Sequence, residues 1–106
     1  MPMFESTNRR TRPVGYMEAL FKGLAPDKGL FVPTKIPAFS RREIAAMKGE
    51  EYHEIAYRVM KKFVGSEVSD RVLRSITRDA YDFDVPIERM GEGNVHVMRL
   101  DRKAHV

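Results

Sequence analysis

The sequence predicts a small α+β fold, dominated by helices and carrying a short strand element. Three observations lead there. Apolar residues recur at three- and four-residue spacings in separate windows, which is the signature of helices with one buried face. Gly and Pro close each of those windows. Brief runs at Met3 to Thr7, Leu30 to Pro33 and Val95 to Leu100 have the short apolar patterning of strands or extended segments.

The 106 residues suit one domain, since domains commonly run to roughly 100–150 residues. A chain of that size buries roughly two thirds of the surface its unfolded form exposes, enough for a core without covalent staples. There is no Cys, so disulfides and thiolate metal sites are excluded. No apolar run approaches the roughly 20 residues of a membrane span, and the opening residues lack the basic-then-apolar order of a secretory signal. The expected location is therefore the cytoplasm.

In chain order, the first helix is expected where Met17, Leu20, Phe21 and Leu24 fall on one face. Gly23 and the turn Ala25-Pro26-Asp27-Lys28-Gly29 stop it, and Leu30 to Pro33 reads as a short extended piece at an edge. Ser40-Arg41-Arg42-Glu43 is a capping box, with Phe39 and Ile44 at the positions of a hydrophobic staple. The strongest periodicity follows, in Tyr52, Ile55, Ala56, Val59, Met60 and Phe63, and Gly65 suits a left-handed stop. Ser69 caps the next helix, with Asp70 near its positive end and Val72, Leu73, Ile76 and Ala80 as its inner face. Asp82 to Pro86 closes it. Gly91 to Asn94 is a turn before the last strand, and Asp101 to Val106 reads as a polar tail beyond a domain of residues 1–100.

The residues that could carry chemistry are few. His53, His96 and His105 stand at no ligand-like spacing, and His53-Glu54 is not followed by the second His of a zinc-protease motif. His53 is expected on the polar side of its helix. Asp79, Asp82 and Asp84 form an acidic helix end, which reads as ordinary surface. Gly91-Glu92-Gly93 lacks the glycine pattern of a phosphate-cradling loop. Met17, Met47 and Met60 fall on inner faces and are expected in the core. The net charge of +4 is spread thinly apart from Arg9, Arg10 and Arg12 and the pair Arg102 and Lys103, so nucleic-acid binding is a weak third reading. The expectation is no catalytic, cofactor-binding or metal-binding residue.

One stretch is specific. Glu18-Ala-Leu-Phe-Lys-Gly-Leu-Ala-Pro-Asp-Lys-Gly-Leu-Phe-Val-Pro33, preceded by Ser6-Thr7, resembles the N-terminal signature of threonine synthases. The resemblance runs on through Ile36-Pro37, Phe39-Ser40, Tyr52 to Gly65, and Ala80-Tyr81 with Phe83, covering residues 3 to 100. It implies the fold of that family's N-terminal domain. It also implies membership of a lyase that uses pyridoxal phosphate, held by a Lys, to turn O-phosphohomoserine and water into threonine and phosphate. The family's His-Gly-Pro-Thr and Ala-Phe-Lys-Asp segments, the latter carrying that Lys, have no counterpart here, and Lys103 does not take its place. The implied role is a structural domain, inactive alone, whose partners are the catalytic domains in cis or in trans. The alternative is a standalone truncated protein acting as a binding or dimerisation module, with self-association through the face left uncovered.

Overall fold

The computed structural model describes residues 2–100; the expected tail at 101–106, with Lys103 and His105, lies outside the described residues. The elements are β1 (Phe4–Ser6), α1 (Tyr16–Lys22), β2 (Phe31–Pro33), α2 (Arg41–Ala46), α3 (Tyr52–Val64), a 3₁₀ turn (Gly65–Glu67), α4 (Asp70–Ala80), β3 (Ile87–Met90) and β4 (Val95–Met98). They form two separate two-stranded antiparallel sheets, β1 with β2 and β3 with β4. The fold is α+β and helix-dominated, as the sequence predicts.

Local signals set the helix ends. Ser40 and Glu43 form the expected box: Ser40 Oγ accepts from the Glu43 N–H at 3.1 Å, and Glu43 Oε1 accepts from the Ser40 N–H at 3.0 Å. Two of the orphan donors at the start of α2 are thereby satisfied. Ser69 Oγ accepts from the Val72 N–H to open α4. Gly23 and Gly65, with φ of 71° and 67°, end α1 and α3 in the left-handed region that side chains disfavour.

The core lies where β1, β2 and α1 meet the C-terminal end of α3. Phe4, Val14 and Ala19 are buried together, with Tyr16, Phe31 and Phe63 packed around them. Phe4 meets Tyr16 edge-on at 5.9 Å, a geometry that suits the ring quadrupoles. Helix α4 packs on α3 through buried Tyr57, Leu73 and Thr77. Around that seam Arg74 pairs with Glu54 and stacks over the Tyr57 ring at 4.0 Å, while Lys61 Nζ reaches Asp70 at 2.7 Å. Tyr52, Tyr81 and Phe83 close the far end as an aromatic cluster.

Several inner faces differ from the expected ones. Leu20, Phe21 and Leu24 are exposed, and α1 buries Ala19 instead. On α4 the buried pair is Leu73 and Thr77, while Val72, Ile76 and Ala80 face out. On α3, Tyr57 and Val64 are the buried residues, and Val59 is exposed. On α1 and α4 the physical reason is shared: Leu20, Val72 and Ile76 line a groove that no described residue covers, and periodicity alone cannot say which side of a helix a neighbour packs on. Ile44 is also exposed, and Phe39 lies under the Lys62 ammonium at 4.5 Å. Strand β3 was not foreseen. Its residues Ile-Glu-Arg-Met give only a weak alternation, and pairing with β4 across the Gly91 to Asn94 turn is what makes it a strand.

Candidate functional site

Two features stand out from the fold, a locked loop and an uncovered groove. The loop joins α1 to β2, and its carboxylate Asp27 organises it. Asp27 Oδ1 accepts from the Ser6 hydroxyl at 2.5 Å and from the Gly29 N–H at 3.0 Å; Asp27 Oδ2 accepts from the Arg10 N–H at 3.0 Å. The Ser6 hydroxyl oxygen in turn accepts from the Asn8 N–H, and Thr7 Oγ1 from the Leu30 N–H. Ser6 is fully buried, so each of its bonds replaces one it would have made to water. The Ser6 hydroxyl, helped by the Gly29 and Arg10 N–H groups, holds the Asp27 carboxyl below its ordinary value of 3.8. Gly29 is obligatory for space: a Cβ there would collide with Ser6 Oγ and lie 2.9 Å from Thr7 Oγ1. Sequence reading assigned Asp27 and Gly29 to a turn; it missed that Ser6, 21 positions earlier, is the other half of the lock.

The groove lies between α1, α3 and α4 and measures about 430 Å³. Met17 and Met60, expected in a closed core, are half-buried and line it, beside Tyr16, Leu20, Val72 and Ile76. Glu67 is the one acidic group in this lining. Its carboxylate accepts from the Tyr16 N–H at 2.6 Å. That contact caps α1, whose own Gly15 offers no side chain, and places negative charge at the positive end of the helix. A Cβ on Gly15 would lie 2.7 Å from Glu67 Oε2.

The other sequence candidates are not brought together. His53 is half-buried, not exposed as expected, and its Nε2 lies 2.8 Å from Glu51 Oε2. His96 is exposed on β4, with Nδ1 facing the Asn94 carbonyl. Asp79, Asp82 and Asp84 are all exposed. Among the described residues no three His, Asp or Glu side chains could share a metal ion, and no helix is long and apolar enough to cross a membrane.

Pyridoxal phosphate, which the resemblance implies for the complete enzyme, does not fit the described residues. Such a site needs a Lys in a recess and a cradle for phosphate. Lys22, Lys61 and Lys62 are held by Glu18, Asp70 and Glu43, and Lys28, Lys35 and Lys48 are exposed. Gly91 and Gly93 face open space.

With this geometry in view, the chain matches the family described as threonine synthase N terminus over residues 3–81. It belongs to that family. The threonine synthase of Pseudomonas aeruginosa is 35% identical over 100 residues, a match covering 90% of this chain and 21% of that protein. The threonine synthase of Schizosaccharomyces pombe is 36% identical over 77 residues, covering 72% and 15%. A PLP-bound threonine synthase structure from Brucella melitensis superposes with a TM-score of 0.84 at 30% identity, covering 94% of this chain and 22% of that one. The chain thus spans about a fifth of the length of the relatives it matches. The locked loop and the groove both fall within the matched residues.

Proposed function

We propose that this chain is the N-terminal structural domain of a threonine synthase-like pyridoxal-phosphate lyase. In the complete enzyme O-phosphohomoserine becomes threonine and phosphate; the domain contributes no catalytic, cofactor-binding or metal-binding residue and is inactive alone. Residues 1–100 form the domain and 101–106 a polar tail, and it works in the cytoplasm beside the catalytic domains. The observation that carries this reading is the pairing of a family match with a lining of apolar side chains left uncovered on α1 and α4. Exposed apolar surface rimmed by polar residues is what a domain shows when its neighbour is elsewhere in the polypeptide.

The test is chemical. Purified chain is incubated with pyridoxal phosphate, reduced with borohydride and mapped by mass spectrometry, and a second sample is assayed for phosphate release from O-phosphohomoserine. The expected result is neither a unique pyridoxyl-Lys nor release above the uncatalysed rate. Either activity overturns the reading. The same uncovered face favours the second reading, a standalone dimerisation module. Sedimentation that stays monomeric at high concentration removes it.

A further inference from the structure

The apolar groove between α1, α3 and α4 is built to be covered. Leu20, Val72 and Ile76 on its rims are 58%, 49% and 53% exposed, while Met17 and Met60 sit deeper between them. Resting on the reading of the chain as a threonine synthase domain, we propose that this groove is the seat for an apolar segment of the catalytic part of the same polypeptide.

The chemistry of the groove selects such an occupant. Its only acidic group, Glu67, is already engaged by the Tyr16 N–H. A charged segment would find no partner in the lining and would lose its hydration, whereas an apolar one removes exposed side chains from water on both partners. Charge enters only at the rim. Arg71 shares a shallow recess with Val72 and Ile76 and makes no ion pair among the described residues, so it suits a carboxylate flanking the apolar segment.

Polypeptide length identifies the source. In the Brucella melitensis enzyme this same fold occupies 22% of the chain, so nearly four fifths of that polypeptide is tethered to it. A tether holds the catalytic part at an effective concentration of about millimolar or above, which favours it over a second copy. The β3–β4 hairpin is the weaker candidate for this contact. Met90, Val95 and Val97 share one of its faces, but that patch is smaller, is flanked by Glu88, and lies beyond the residues of the family match.

Hydroxyl-radical footprinting of two intact proteins, the full 106-residue chain and the Pseudomonas aeruginosa threonine synthase, tests the proposal. In this chain Leu20, Val72 and Ile76 should label freely. In the intact enzyme the aligned positions should label about five-fold less or lower still, because the centre of a packed interface excludes water. If the aligned positions label freely there while other N-terminal positions are protected, the seat lies elsewhere and this proposal alone falls. Should no N-terminal position be protected, the domain does not pack on the catalytic part, and the reading beneath falls as well. Protection already present in this chain, with sedimentation showing a dimer, assigns the groove to a second copy and also overturns the proposal.

Discussion

The molecule contains two antiparallel ribbons of nearly equal length, and they are held in opposite ways. Strands β1 and β2 pair Phe4 with Pro33 and Ser6 with Phe31; Phe4 and Ser6 are buried, and the ribbon is tied down by Val14, Tyr16, Phe63 and the Asp27 lock. Strands β3 and β4 pair over four residues each, yet every one of the eight is exposed. Among the described residues Arg89 donates to the Gly93 and Glu92 carbonyls and Arg99 to Glu88. An isolated two-stranded ribbon is marginal in water. What sets the first ribbon apart is its side-chain packing, together with a backbone bridge on the other edge of β1, where Phe4 and Val14 exchange both N–H···O bonds. The family match ends at residue 81, before the second ribbon begins.

Substitution at matched sites gives the largest expected contrast. Phe4→Ala should cost about 3–5 kcal/mol by thermal or urea unfolding, because a buried aromatic leaves both lost transfer energy and a cavity. Ile87→Ala on the exposed ribbon should stay within about 0.5 kcal/mol. Equal losses would erase the distinction between the ribbons.

The lock comes next. Ser6→Ala removes a buried hydroxyl and leaves the Asn8 N–H without its acceptor, at an expected cost of about 1–3 kcal/mol. Gly29→Ala should act in the same direction by forcing Ser6 and Thr7 apart. A neutral Ser6→Ala would show that packing alone holds the first ribbon.

Acid sharpens the comparison further. Asp27 has a folded pKa below its ordinary value, owing chiefly to the Ser6 hydroxyl. Its contribution is complete above that ordinary value and is lost as pH falls through the lowered one. The melting-temperature gap between the wild-type chain and Asp27→Asn should be full at neutral pH and close below about pH 4. A gap that is constant with pH would mean that the charge plays no part.

A purely local device gives a smaller effect than the buried sites of the first ribbon. Ser40→Ala should cost about 1 kcal/mol through loss of the α2 cap. Amide exchange should then be faster in β3 and β4 than in β1 and β2, as few buried contacts oppose local opening there. Slower exchange in the exposed ribbon would break the comparison from the other side.

Much of the fold was legible because its signals are short in range. The caps at Ser40 and Ser69 and the stops at Gly23 and Gly65 each depend on groups within about four residues, so spacing alone reveals them. The signature from Glu18 to Pro33 likewise carries the family resemblance within sixteen consecutive residues. Sequence by itself determined the starts of α2 and α4, the stops of α1 and α3, which residues are apolar, and that neither a thiolate site nor a membrane-length apolar run exists.

Tertiary structure decided the rest. It chose Ala19 over Leu20 and Phe21 on α1, and Leu73 with Thr77 over Val72 and Ile76 on α4. It brought Glu67 across 51 positions to cap α1, and Ser6 across 21 to fasten Asp27. Such pairings leave no periodic trace, because the two partners meet only after the intervening chain has folded. The direction a helix faces is set by what packs on it, and a groove is recognised only when the apolar stripe left uncovered can be seen.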